Sequence, residues 1–182
     1  MDNLSDLSHT NPPDATSIPI ASTFSSEIDL APDLTNVRLV RVFPQEWQTL
    51  KEYVVALYQY DEKFDSLIHV EDGVKSLFRY PQLVSPYFIK NGMERLGYVI
   101  LTRYHSIEKG GLIFFIDELY IEHPFRRNGI GRIAMKQIFE MAREEGIRAL
   151  SVQVEPLNEG SKIFFEQHGF RLEQNRNFFL PL

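Results

Sequence analysis

Between Pro86 and Ile121 three strand-forming runs follow one another closely, "PYFIK", "ERLGYVILTRY" and "LIFFIDELYI", punctuated by Asn91-Gly92 and Gly110-Gly111. Asn-Gly and Gly-Gly are short-turn signals, because glycine reaches positive φ at no steric cost, so the runs read as a meander of antiparallel strands. The pattern then changes. Pro124 and the glycines Gly129 and Gly131 precede Ile130, Ile133, Ala134, Ile138, Met141 and Ala142, spaced as one face of a helix that Gly146 closes. "ALSVQV" reads as a further strand, Glu159 to Gln167 as a helix, and Phe170 onward as at least one more strand. Upstream, Val37 to Phe43 is a strand ended by Pro44, and Trp47, Leu50, Val54, Leu57 and Tyr58 mark a helix from Gln45. A shorter helix covers Glu71 to Phe78, after a loop built on Asp61 to Asp65. The order predicts an α/β domain with a mixed sheet.

Charge is distributed unevenly along the 182 residues. The net charge of -6 falls entirely before Arg38, and the remainder balances at 19 basic against 19 acidic residues. With Pro12, Pro13, Pro19 and Pro32 and many Ser and Thr, residues 1-36 read as a disordered acidic tail, and 37-182 as one domain. The balanced body offers no broad basic face for nucleic acid, and no apolar run is long enough for a membrane span. The absence of cysteine excludes disulfides and thiolate catalysis and fits a cytoplasmic setting. His105, His123 and His168 lack metal-ligand spacing, so no metal is expected.

"FRRNGIGRIAMKQIF", Phe125 to Phe139, admits two readings. Gly129-Ile130-Gly131 with Ala134 is GxGxxA, a dinucleotide fingerprint, and Glu155 ends the next strand where a ribose-binding carboxylate would sit. That fingerprint needs its first glycine almost directly after the strand. Here seven residues, Glu122 to Asn128, intervene, and they include Pro124 and two arginines. The second reading, RxxGxG from Arg126, is a phosphate cradle at a helix N-terminus, where unpaired N–H groups and a partial positive charge meet an anion. Arg126, Arg127, Arg132 and Lys136 add cationic charge, and no acid intrudes between Pro124 and Phe139.

"DELYIEHPFRRNGIGRIAM" with "ALSVQVEPLNEGSKIFFEQHGF" resembles the GNAT N-acetyltransferase superfamily, over roughly residues 37 to 180. The resemblance implies a central mixed, mostly antiparallel sheet flanked by helices, with a V-shaped splay of two parallel strands that binds the acyl-CoA. It implies acetyl-CoA as cosubstrate, its pyrophosphate on Arg126, Arg127, Asn128, Gly129, Ile130, Gly131 and Arg132. Backbone groups of Leu119 and Ile121 would bond the pantetheine arm, and Asn158 would contact it or cap the following helix. Tyr120 faces the acceptor or is a half-buried strand aromatic. Asp117 and Glu118 are the candidate bases, on opposite faces by strand alternation, with Glu118 favoured because it shares the face of Tyr120. Phe165 stands where many members carry a general-acid tyrosine and would pack beside the cofactor or within the core; Tyr120 or water could replace the acid.

The expected activity is transfer of an acetyl group to the primary amine of a small molecule. Peptide or protein N-acetylation and a non-catalytic acyl-CoA-binding module are the alternatives. Acetyl-CoA and the amine are the expected partners, without nucleic acid or membrane, and a homodimer is left open.

Overall fold

The computed structural model describes residues 33–173. Five strands form one sheet in the order β1-β2-β3-β4-β5, with β1 Val37–Arg41, β2 Val84–Asn91, β3 Glu94–Ser106, β4 Gly111–Ile121 and β5 Ala149–Val152. The first four pair antiparallel, and β5 joins β4 in parallel. The meander therefore stands as expected, although the first turn is Gly92-Met93, because Asn91 is still paired with Glu94. Gly92 has φ +60, the conformation its missing Cβ permits.

Helix α1 (Trp47–Tyr60) follows a short 3-10 turn at Pro44–Glu46, where the expected helix start lay. The segment after it is a 3-10 helix, Phe64–His69, that leads directly into α2 (Val70–Leu77). Helix α3 spans Ile130–Glu144 and α4 spans Glu159–Gln167. Of the strand expected from Phe170 onward, residues 170–173 carry no strand and the rest lies outside the described residues, as does nearly all of the acidic tail.

Helices cover both faces of the sheet. Strand β3 is buried on both sides from Leu96 to Leu101, with Tyr98 and Ile100 facing Leu50, Val54 and Val74 of α1 and α2. Val99 and Leu101 face the other way, against Met135, Ile138 and Ala142 of α3 and Phe165 of α4. Helix α3 also protects the edge strand β1: the Gln137 amide donates to Val37 O (3.0 Å), and its Oε1 accepts from Leu39 N–H (2.9 Å). Unpaired strand backbone buried under a helix is costly, so this side chain completes the ladder.

One glycine in β3 is dictated by its neighbour. A Cβ on Gly97 would stand 2.0 Å from the Tyr120 carbonyl oxygen and 2.9 Å from its carbon, both backbone atoms that cannot swing aside. Gly97→Ala is expected to force β3 and β4 apart and to cost about 1–3 kcal/mol, the range for overpacking. Chemical denaturation of the variant checks this, and an unchanged midpoint would contradict the close approach.

Candidate functional site

The site begins where β4 and β5 part. Their register runs from Ile113↔Ala149 to Ile116↔Val152 and stops there, while β4 continues to Ile121. The end of the shared register coincides with a bulge in the β3–β4 ladder: Ile100 faces Glu118 and Leu101 faces Ile116, leaving Asp117 as the extra residue. Past the bulge, Glu122 N–H donates to Leu96 O (2.9 Å). Alternation along the strand then turns the peptide groups of Leu119 and Ile121 away from β3, into the gap left by β5.

The bulge also corrects a sequence expectation. Simple alternation sends Asp117 and Glu118 to opposite faces, yet both line one cleft of about 400 Å³ between the sheet and the α1–α2 layer. The extra residue shifts the phase of the strand, so Phe114 and Ile116 pack toward α3 while Tyr120 packs toward α1.

Glu118 is the most elaborately held group in the cleft. Tyr58 Oη of α1 donates to its Oε1 (2.8 Å) and Tyr98 Oη of β3 to its Oε2 (2.7 Å). Burial pushes its carboxyl above the usual glutamate range, and the two tyrosine donors only partly oppose the shift. Burial likewise raises Asp117, although that side chain is open to solvent at the rim and forms no hydrogen bond among the described residues. Both tyrosines stay firmly protonated, since burial and the carboxylate beside them penalise a phenolate. Tyr120 is 8% exposed and lies 6.0 Å from Tyr98, ring centre to ring centre.

A second cavity, of about 270 Å³, opens at the N-terminus of α3. Ile121, Arg126, Arg127, Gly129 to Arg132, Phe164 and Gln167 of α4 and, just after that helix, His168 line it, with no acidic side chain among them. The chain reaches it through a 3-10 turn at His123–Phe125, then Arg127 at φ +67 and Gly129 at φ +83. Arg127 and Arg132 pair with no carboxylate among the described residues. Gly131 has a reason the sequence did not disclose: a Cβ there would lie 3.0 Å from the Phe164 ring. Arg126 is already engaged, its Nε donating to Ile121 O (2.7 Å) and its guanidinium lying 4.1 Å over Tyr60 and 5.3 Å over Tyr120. Asn128 belongs to the loop without lining the cavity.

The remaining candidates divide. Asn158 caps α4, its Oδ1 accepting from Ser161 N–H (3.0 Å), which leaves its amide nitrogen as the available donor. Phe165 is 7% exposed, with Phe164 and Phe170 at 5.2 and 5.3 Å, and serves as core. Among the described residues no group of three or more His, Asp or Glu is placed to hold a metal, and no helix is long and apolar enough to cross a membrane. Sequence reasoning missed Tyr58, Tyr98, Phe164 and His168. For Tyr98 a signal existed: a tyrosine inside the aliphatic run "GYVIL" needs a partner for its buried hydroxyl.

The sequence profile of the Acetyltransferase (GNAT) family matches residues 40–170. No curated protein sequence matches the chain. Solved structures share the fold. A possible acetyltransferase from Clostridium difficile 630 superposes with a TM-score of 0.71 at 17% identity, covering 80% of this chain and 98% of that one. An aminoglycoside acetyltransferase from an uncultured soil metagenomic sample, in complex with sisomicin, gives 0.68 at 14% identity, covering 81% and 97%. Ribosomal-protein-alanine N-acetyltransferase from Brucella melitensis biovar Abortus 2308 gives 0.64 at 13%, covering 80% and 99%.

The raised carboxyl of Glu118 has a measurable consequence for stability. A group whose folded pKa exceeds its unfolded value, about 4.3 for glutamate, adds stability below that value and loses it as pH rises through the folded midpoint. Glu118→Gln cannot ionise, so its melting temperature is expected to gain on the parent as pH rises through this window. A gap independent of pH would remove the argument. Tyr98→Phe deletes a donor to the carboxylate and should move the Glu118 carboxyl carbon's NMR titration to higher pH.

Proposed function

Because the chain belongs to the GNAT acetyltransferase family, we propose that it is an acetyl-CoA-dependent N-acetyltransferase acting on the primary amine of a small molecule. The observation that carries this reading is the position of Glu118: a half-buried carboxylate in a cleft, on the stretch of β4 beyond Ile116 that β5 leaves unpaired. An alkyl ammonium, with a pKa of about 10.4, becomes a nucleophile only after losing a proton. A carboxylate made more basic by burial suits that task, and Asp117 beside it favours a cationic acceptor. The two carboxylates are the candidate bases, with Glu118 preferred.

The chain's own groups fit the cosubstrate. The cavity at the α3 N-terminus is cationic, contains Gly129 and Gly131, and suits a pyrophosphate held by helix N–H groups with Arg127 and Arg132. Leu119 and Ile121 would bond the pantetheine arm through peptide groups that turn into the gap, together with the Asn158 amide. Acetyl-CoA supplies the activated thioester. Tyr120, kept protonated by burial, is the candidate donor to the departing thiolate in place of the tyrosine that Phe165 replaces.

A small acceptor is favoured over a peptide by the 3-10 helix and α2, which wall the cleft and limit it to about 400 Å³. The tyrosine pair on Glu118 argues against a purely cofactor-binding module, since such a module has no use for a base held in place by two hydroxyls. The tail and a cytoplasmic setting are compatible with this reading and do not carry it.

Purified protein with acetyl-CoA and a panel of amines tests the proposal through amine-dependent release of CoA. Glu118→Gln should lower kcat/KM by about 10²–10⁴-fold, and the parent's activity should rise with pH across an acid limb whose midpoint lies above the ordinary glutamate value. Gly131→Glu should abolish CoA binding. Its Cβ also meets Phe164, so Arg127→Glu and Arg132→Glu are the companion variants, each expected to weaken CoA measured by calorimetry. Full affinity in all three, still folded, would refute the cradle.

A further inference from the structure

The geometry points to Lys63 as an internal acyl acceptor: given an acyl thioester in the gap between β4 and β5, the protein acylates its own Lys63 amine. This adds a modification site to the transfer reading above and rests on it. Lys63 follows α1, and its backbone N–H donates to Tyr58 O (2.8 Å). The same tyrosine holds Glu118 through its hydroxyl, so the stem of the lysine and the candidate base share one anchor. From there the ammonium reaches Glu155 Oε1 at 3.1 Å, on the segment that continues β5 after it has left β4. Asp61 lies 3.9 Å from it. A primary amine thus extends from the acceptor-side layer to the far arm of the splay, just beyond the point where the parallel register ends. Its charge also reaches Glu118, where it opposes the upward push of burial. The side chain is 37% exposed, and its four-carbon stem is free to swing once Glu155 lets go.

The step balances within the groups named. Glu118 takes one proton from the Lys63 ammonium, directly or through one water. The freed Nζ lone pair forms a C–N bond at the acyl carbon, and the C–S bond breaks with its electron pair on sulfur. The second proton leaves nitrogen for the thiolate, so the products are an amide on Lys63 and the free thiol. Acylation removes a positive charge from between Asp61 and Glu155. Glu155 and Asp61 lose that partner, and Glu118 loses the cation that tempered it.

The test uses the full chain with acetyl-CoA carrying a deuterated acetyl group, no added amine, and mass-spectrometric mapping of label over time. Lys136 is the benchmark for spontaneous chemistry, since its side chain is 77% exposed against 37% for Lys63. Label is expected on Lys63 ahead of Lys136, at a first-order rate unchanged by dilution, and about 100-fold slower in Glu118→Gln. Heat-denatured protein, in which Lys63 should lose its lead, supplies fold dependence without any variant. Labelling of Lys63 no faster than Lys136, a rate that falls on dilution, or equal labelling in Glu118→Gln would each overturn the inference. Amine-dependent CoA release with Lys63 unlabelled would defeat this inference alone, and absence of both would defeat the transfer reading with it.

Discussion

Beyond Ile116 and Val152 two parallel strands that have shared a register stop doing so, and the unpaired edge of β4 is the constraint on which the rest of the site depends. Backbone N–H and C=O groups left without a ladder must find other partners. At Ile121 the carbonyl takes one from Arg126, which is why the first arginine of the glycine loop lies over the strand end and its aromatic neighbours. The bulge at Asp117 falls at the same place, so one extra residue coincides with the end of the parallel register and turns two adjacent carboxylates into one cleft. Gly97 completes the arrangement from the other side, allowing the Tyr120 carbonyl to lie against β3.

Opposite charges are segregated around that gap. The cavity at the start of α3 is lined by arginines and glycines, with no acid. The cleft under α1 and α2 is lined by Asp117 and Glu118. In the transfer reaction proposed above, an anionic cosubstrate and a cationic acceptor would approach from different sides without competing for one field. The tyrosines on Glu118 refine this. They hold the carboxylate in place and limit the upward shift that burial imposes, so the group stays ionisable while remaining more basic than a surface glutamate.

Much of this was legible in the chain. Hairpin turns, helix periodicity and the glycine stop at Gly146 are local signals, and each element except the strand from Phe170 onward appears within a few residues of its expected place. The length of chain from Ile121 to Gly129 argues against a dinucleotide fingerprint from the sequence alone. Alternation failed at Asp117 because a bulge is set by pairing with β3, through Ile100 opposite Glu118 and Leu101 opposite Ile116, and not by the residues of β4 alone. Phe164, His168 and Tyr58 were hidden for a related reason: each has the composition of ordinary core, and only the packing of α4 on α3 or of α1 on the sheet makes it a wall of the site.

The sequence by itself determined the order of elements, the antiparallel meander, the cationic glycine loop at a helix start and the acids near the end of a strand, because all of these depend on neighbours along the chain. The tertiary structure alone decided that both carboxylates open into one cleft, that Glu118 is held between the hydroxyls of Tyr58 and Tyr98, and that a Cβ on Gly131 would press on the Phe164 ring. Those outcomes depend on contacts between residues 20 to 60 positions apart, or on the phase of a bulged ladder. No local pattern encodes such contacts, since the free energy that selects them comes from burial and pairing in the folded state.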